Sequence, residues 1–177
     1  MDAAGVSWIE LDDHEGDDVI ATLTHQAVSA GRTVTCYSGD RDLLQLAADE
    51  VTILNPARRQ IRPQDVHDRH HVHPDQWPDY RALTGDPADN IPGIRGVGPK
   101  TAADLLAGGI HLEHLRDSPR LERPRCRAIT GQYQQLLVWR DLIRLNTAVP
   151  LPRNPVTGRP STTMPRAATL LEELGLW

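Results

Sequence analysis

The chain is 177 residues long, room for one sizeable domain or two small ones with a packed core, and its net charge is -5. Its only cysteines, Cys36 and Cys126, lie far apart and outside any C-x-x-C spacing, so neither a disulfide framework nor a zinc ribbon is expected and a cytoplasmic setting is. Long apolar runs and a basic-then-apolar opening are both missing, which excludes a membrane-spanning helix and a secretory leader as expectations.

In chain order, Val6 to Leu11 alternates weakly and reads as a short strand that leads into the acidic turn Asp12 to Asp18. Val19, Ile20, Leu23, Ala27 and Val28 then fall at helical spacing, predicting a helix from Asp17 to about Ala30 with Gly31 as its C-cap. Thr33 to Tyr37 reads as a buried strand broken by Ser38-Gly39-Asp40, Asp42 to Ala48 as a helix, and Val51 to Leu54 as a strand ended by Asn55-Pro56. This alternation implies an α/β fold with a parallel sheet, in which ligands sit beyond the C-terminal strand ends. From Pro63 no strand pattern recurs, so a domain boundary is placed near residue 62 and the remainder is expected to be helical. Helices are predicted over 63–71, 74–83, 101–107 and 127–145, with prolines at the first turn of the first two and Gly108-Gly109 ending the third. Residues 150–165 read as an extended connector and 166–174 as a last short helix.

Charge is unevenly divided along the chain. Residues 1–90 carry 17 Asp and Glu against 7 Arg, whereas residues 91–177 carry 12 Lys and Arg against 7 acids. Such a division suits a site that concentrates cations beside a surface that faces phosphates.

The acids form three clusters at turns: Glu15, Asp17 and Asp18; Asp40 and Asp42; and Asp86 with Asp89. Singly, each is as readily an N-cap or turn former as a ligand, Asp17, Asp42 and Asp89 above all. Together they point to metal, because like charges held close raise the cost of ionisation until cations neutralise them. Oxygen-only donors favour Mg²⁺ or Mn²⁺ over zinc. Two such ions about 3.5–4 Å apart are suited to phosphodiester hydrolysis, activating a water and stabilising the leaving oxygen.

Residues 90–103, Asn-Ile-Pro-Gly-Ile-Arg-Gly-Val-Gly-Pro-Lys-Thr-Ala-Ala, place Gly93, Gly96 and Gly98 just ahead of a helix that opens with Lys100 and Thr101. Glycine lets a backbone approach a phosphate closely, and a helix start offers N–H donors. Lys100 is the only lysine beside 18 arginines. The segment is read as a DNA-backbone contact, with Ile91, Ile94 and Val97 anchoring it in the core. Four histidines at 67, 70, 71 and 73 are read as solvated surface, the four tryptophans as packing, and Arg116 to Arg127 as a loose basic run.

These residues resemble the 5′-3′ exonuclease and flap endonuclease family, in particular the exonuclease domain of bacterial DNA polymerases I and its stand-alone relatives. Residues 15–21, Glu-Gly-Asp-Asp-Val-Ile-Ala, resemble the family's E-A-D-D-V-I-A with Gly16 for Ala. Residues 39–46 match its G-D-R-D-L-L-Q-L, and residues 85–102 its G-D-x-S-D-N-I-P-G-x-x-G-x-G-x-K-T-A with Ala88 for Ser. The resemblance implies the C-terminal part of a PIN-like, resolvase-like α/β domain, followed by a SAM-like helix-three-turn-helix domain that holds duplex DNA. It further implies that Glu15, Asp17 and Asp18 serve mainly one Mg²⁺ or Mn²⁺ and Asp40, Asp42, Asp86 and Asp89 the other, all seven acting in catalysis. Arg41, Gly93, Gly96, Gly98, Lys100 and Thr101 would contact DNA, with K⁺ at the glycine hairpin. The implied partners are double-stranded or flapped DNA and members of a polymerase or ligase pathway.

Family members carry a further segment ahead of the Glu-x-Asp-Asp turn, with a metal-ligating strand and a basic helical arch. The expectation is that cleavage needs that segment, encoded upstream or supplied by another chain. The alternative is a non-catalytic duplex-binding module, which predicts salt-dependent binding indifferent to Mg²⁺ and lost in Lys100→Ala. A PIN-like ribonuclease fits less well, since such enzymes lack the glycine hairpin.

Overall fold

The computed structural model describes residues 9–122, 126–151 and 172. Helix α1 spans Gly16–Ser29, with Asp17 and Asp18 in its first turn, where negative charge faces the positive end of the helix dipole. It ends through Ala30 and Gly31, the latter at φ +73°. Strand β1, Val34–Tyr37, pairs in parallel with β2, Val51–Leu54, in the register Val34 opposite Val51. The crossover carries a 3₁₀ helix at Asp42–Leu46, shorter and tighter than the α-helix expected there. A two-residue strand β3, Gln60–Ile61, lies antiparallel on β2 and gives the sheet the order β1-β2-β3. No alternation marks so short a strand. Asn55 closes the turn, its Oδ1 accepting the Arg59 N–H at 2.9 Å.

Of the expected first strand, Val6 to Trp8 lie outside the described residues, and Ile9 to Leu11 have no regular structure. The connector expected over 150–165 and the helix expected over 166–174 lie outside them too, apart from residues 150, 151 and 172.

The helical part begins with α2, Pro63–His70, whose start is fastened by the Asp65 carboxylate accepting the Arg62 N–H at 2.8 Å. His71 ends it in the left-handed conformation at φ +58°. A 3₁₀ turn at Pro74–Gln76 runs straight into α3, Trp77–Thr84. Then follow α4 (Pro99–Leu106), α5 (Leu112–Leu115), a 3₁₀ turn (Pro119–Glu122), α6 (Arg127–Gly131) and α7 (Tyr133–Ile143). The single helix expected over 127–145 is therefore two, divided at Gln132 beside the poor helix former Gly131.

Helix α3 lies at the centre, against α4 and α7. Trp77, Leu83, Leu105, Leu106, Leu112, Leu115, Ile129 and Leu136 are fully buried around it, and the same core continues through Val66 into Leu43 and Ile53 of the sheet region. Polar side chains are buried there only with partners. Gln76 Nε2 donates to the carbonyls of Leu106 (2.8 Å) and Ile110 (2.9 Å), and Tyr133 donates its hydroxyl to Leu112 O. Asp79 is fully buried; its Oδ2 meets His111 Nδ1 at 2.8 Å and the Leu112 N–H at 3.3 Å. Its Oδ1 makes no hydrogen bond and faces the buried Arg140 at 3.7 Å. Arg140 is in turn held by Glu113 and by Asp141, Nε to Oδ1 2.7 Å.

The segment after α7 folds back across the sheet region. Gln45 donates to Ile143 O and accepts the Leu145 N–H, each at 3.0 Å. Asp18 Oδ1 accepts the Asn146 N–H at 2.8 Å, and Thr22 Oγ1 bonds both Asn146 O and the Val149 N–H. These bonds join residues about a hundred positions apart and hold two sides of one cavity together.

Candidate metal centre

All seven predicted acids line a single cavity of about 950 Å³. Glu15, Asp17 and Asp18 reach it from the start of α1, Asp40 and Asp42 from the loop and turn after β1, and Asp86 and Asp89 from the loop after α3. Arg41 stands on its wall, exposed. The other walls come from Arg81 and from Asp141, Arg144 and Asn146 at the end of α7, none of which sequence reasoning singled out. No local pattern marks Asp141, Arg144 and Asn146, because they reach the cavity only through the docking of α7, and Arg81 belongs to it through its ion pair with Asp86.

Capping does not account for the acids. The N-cap of α1 is Glu15 and that of the following 3₁₀ helix is Arg41, and neither makes a side-chain cap bond. No helix starts near Asp89, since α4 begins at Pro99. Asp40 and Asp86 do shape their own loops. Asp40 Oδ1 accepts the Asp42 N–H at 2.9 Å, and Asp86 Oδ1 accepts the Ala88 N–H at 3.0 Å. Backbone pairing between Asp86 and Ile91, 2.7 and 2.8 Å, closes the loop that presents Asp89.

One oxygen each from Asp42, Asp86 and Asp89 gathers within 4.8 Å of the others, the only such trio of ligating groups among the described residues. The crowding has an electrostatic signature. Asp42 is pushed up to about 6, first by burial and then by Asp40, Asp86 and Asp89, against a lowering hydrogen bond from Trp77 Nε1 (3.3 Å). Asp17 is also raised, by burial first and then by Asp40, Glu15, Asp18 and Asp89. Asp17 is raised by acids of all three clusters and Asp42 by those of the second and third, in keeping with the one cavity that the clusters share. Arg81 offsets part of this charge, forming a two-pronged ion pair with Asp86 Oδ2 (Nε 2.9 Å) while lying over the Trp77 ring at 5.9 Å. Hard oxygen donors in surplus over cations are what a Mg²⁺ or Mn²⁺ ion requires, so the residues present fit such an ion.

The glycine hairpin is a separate surface. Ile91, Ile94 and Val97 are buried as expected. The three glycines differ in role. Gly93 is buried at φ +68°, and a Cβ on it would lie 2.4 Å from Gly85 N, so packing against the 84–85 backbone is what demands glycine there. Gly93 therefore has a packing reason to be glycine beside the DNA contact expected of it from the sequence. Gly96 (φ +84°) and Gly98 are exposed, with open space where a Cβ would stand. Lys100 is exposed in the first turn of α4 and Thr101 is half-buried beside it.

Comparison with known proteins extends the geometry. The family model of the 5′-3′ exonuclease N-terminal resolvase-like domain matches residues 1–72, and that of the 5′-3′ exonuclease C-terminal SAM fold matches residues 72–164. The thermostable DNA polymerase I of Thermus thermophilus is 37% identical over 161 residues, and DNA polymerase I of Mycobacterium tuberculosis is 38% identical over 165, each alignment covering 90% of this chain. The chain spans 19% and 18% of those polymerases. Among solved structures, T5 5′-exonuclease with bound divalent zinc ions superposes with a TM-score of 0.70 at 24% identity. The bacteriophage T5 D15 flap endonuclease, in a pseudo-enzyme-product complex with DNA and metal ions, gives 0.66 at 21%. Each covers 78% of this chain, which spans 53% of either T5 protein. At that identity they establish the fold. With the two family models meeting at residue 72 and spanning nearly the whole sequence, the chain belongs to the 5′-3′ exonuclease family.

Proposed function

We propose that this chain carries the metal-binding and duplex-holding parts of a structure-specific 5′ nuclease that hydrolyses DNA phosphodiesters at 5′ ends or flaps by two-metal-ion catalysis, in replication and repair. The observation that carries the reading is the convergence of seven carboxylates from three separate chain segments on one cavity. Glu15, Asp17 and Asp18 would hold one Mg²⁺ or Mn²⁺, and Asp40, Asp42, Asp86 and Asp89 the other. Such ions, when bound, lower the pKa of a water and stabilise charge on the phosphate and the leaving oxygen.

The protein's own groups do the rest. Trp77 orients the Asp42 carboxylate through Nε1, and the Asx turn at Asp40 fixes that loop. Arg41 places a cation on the cavity wall where a phosphate would enter. Gly96, Gly98, Lys100 and Thr101 supply a close, sequence-independent backbone contact, with K⁺ bound at the hairpin, and Gly93 supports it from beneath. We place the division between the two domains near residue 62, where the last strand ends. Flap removal leaves a nick, so a polymerase would act before this chain and a ligase after it.

The test is Mg²⁺-dependent cleavage of a 5′-flap duplex by this chain and by an N-terminally extended one, each with and without Asp40→Asn, alongside Mn²⁺ calorimetry. Cleavage should require the divalent ion and be lost in Asp40→Asn while duplex binding persists. Metal affinity of the variant should drop by roughly tenfold or more. Equal cleavage by wild type and variant, or no divalent binding, would exclude the assignment; duplex binding that ignores Mg²⁺ would favour the non-catalytic module.

A further inference from the structure

A second cavity, about 680 Å³, lies between the C-terminal end of α2 and one face of α4 with the turn after it, from Pro99 to Gly108, away from the acids of the first cavity. Its charged and titratable lining is His67, Arg69, His70, His71, His73, Tyr80 and Lys100, with Asp104 as the only carboxylate. The clustering follows from the end of α2. Left-handed His71 reverses the chain, so that the His73 ring returns to 5.2 Å from the His67 ring, with His71 6.4 Å away. His70 packs into the wall against Trp77 (4.9 Å) and Tyr80 (5.7 Å), and burial pushes it below the usual histidine range, so it is a packing residue.

The other three stay solvated, half-buried His67 and exposed His71 and His73. A transition metal is disfavoured: the only trio of ligating groups gathered at metal distance among the described residues is the aspartate one, and Arg69 and Lys100 would repel a cation. Opposite charge is what this lining selects. The groups facing the three imidazoles are Asp68, 3.9 Å from His67 Nδ1, and Arg69 on α2, Tyr80 on α3, and Lys100 and Asp104 on α4. Gln76 cannot compete for a ligand, because its Nε2 serves Leu106 O and Ile110 O and its Oε1 accepts the His73 N–H at 3.0 Å. Lys100 belongs to this cavity and to the start of α4 behind the glycine hairpin, so the two surfaces are contiguous.

We propose that this cavity is a phosphodiester subsite that holds a backbone phosphate of bound duplex DNA, and that His67, His71 and His73 tighten the hold as they gain protons. It rests on the reading above that the chain binds DNA and adds to it a place and a pH dependence. The sign follows from the chemistry: protonation adds positive charge beside the phosphate, so affinity rises as pH falls.

The experiment measures the affinity of the whole chain for a short duplex in EDTA at fixed ionic strength, at about pH 8 and about pH 6, where histidines change charge. Wild type is compared with a triple variant, His67→Gln, His71→Asn and His73→Gln, in which Asn tolerates the left-handed position. The triple variant keeps every acid of the other cavity and the remaining histidines, so its residual pH response measures all titrating groups other than these three. Wild type should gain about three- to tenfold more affinity on acidification than the variant, the scale of one or two phosphate contacts. Equal gains in the two proteins would overturn the proposal.

Imidazole resonances of wild type provide a readout free of folding defects. They should shift with duplex at concentrations where inorganic phosphate of equal total phosphate leaves them in place. Duplex that binds without moving them, or phosphate that moves them equally, would overturn it, the latter marking a free-anion site. Lys100→Ala separates the two readings. If it weakens binding at both pH values while the triple variant behaves as wild type, the DNA reading stands and the subsite fails. If wild type binds no duplex at all, both fail.

Discussion

Asp42 sits where burial and like charge act together. An unfolded aspartate titrates near 3.9, and burial with Asp40, Asp86 and Asp89 lifts Asp42 to about 6 in the folded chain without metal. Below about 4 both states are protonated and nothing is lost; between about 4 and 6 the folded protein holds a proton that the unfolded chain has released. Stability of the metal-free protein therefore declines as pH rises through that window, by about 1–2 kcal/mol from this group once water's screening of its part-exposed carboxyl is allowed for, and the penalty persists at neutral pH. Asp42→Asn should thus raise metal-free stability at neutral pH by about 1–2 kcal/mol, flatten the decline, and weaken Mn²⁺ binding. Denaturant unfolding in EDTA across pH, with calorimetry at neutral pH, checks both halves; a variant less stable than wild type in EDTA would show that the carboxylate is not held against repulsion. Trp77→Phe removes the indole donor 3.3 Å from Asp42 Oδ1. It should push Asp42 higher still, since that hydrogen bond favours the charged form, and carboxylate-resolved NMR titration without metal would read a shift in the opposite direction as a refutation.

The glycine hairpin, residues 91–98 between α3 and α4, separates fold from function by position. Gly93→Ala would drive a Cβ to 2.4 Å from Gly85 N at a positive φ, so it should cost several kcal/mol, about 3 or more, and lower the unfolding midpoint sharply. Gly98→Ala meets open space at an ordinary φ of -94°, so its stability should change by no more than about 0.5 kcal/mol. Duplex affinity should nonetheless fall severalfold, because the added methyl blocks the approach of a phosphate. Unchanged affinity in Gly98→Ala, measured by duplex titration beside denaturant unfolding, would remove the hairpin from the DNA surface. Three glycines look alike in a sequence, which is why the reading that grouped them could not tell the packed one from the open ones. Local patterns were legible where they persist: α1, β1 and β2 announce themselves by apolar spacing, and the acid clusters by their turns. Strand β3 and helix α5 are too short to display a period, and the break at Gln132 depends on how α6 and α7 each seat Ile129 and Leu136 in the core. Arg81, Trp77 and Gln45 stayed hidden as site residues because their partners are defined by tertiary distance rather than spacing.

At the scale of the molecule, the acid-lined cavity lies where the two parts of the chain are tied together. Its acids come from the sheet region and from the loop after α3, while one wall is the end of α7, brought in by a long return path. Two kinds of tie hold that wall. Inside, the buried Asp79 and Arg140 and the half-buried His111 fasten α3, the start of α5 and α7 into one block. Outside, Gln45 reaches from the 3₁₀ turn of the acid loop to both Ile143 O and the Leu145 N–H, so one side chain spans the turn that carries Asp42 and the last residues of α7. Gln45 is half-buried and carries no charge, and its loss removes no ligand. Gln45→Ala should therefore lower stability by roughly 1–3 kcal/mol, the worth of two internal hydrogen bonds with their partners left short. If docking of α7 shapes the cavity, the same variant should also weaken Mn²⁺ binding at temperatures where it is fully folded, although all seven carboxylates remain. Calorimetry below the unfolding transition, paired with denaturant titration, separates the outcomes. A stability loss with unaltered metal affinity would mean that the acid loops arrange themselves without the returning helix, whereas loss of both makes the assembly of the two parts a condition for the metal site.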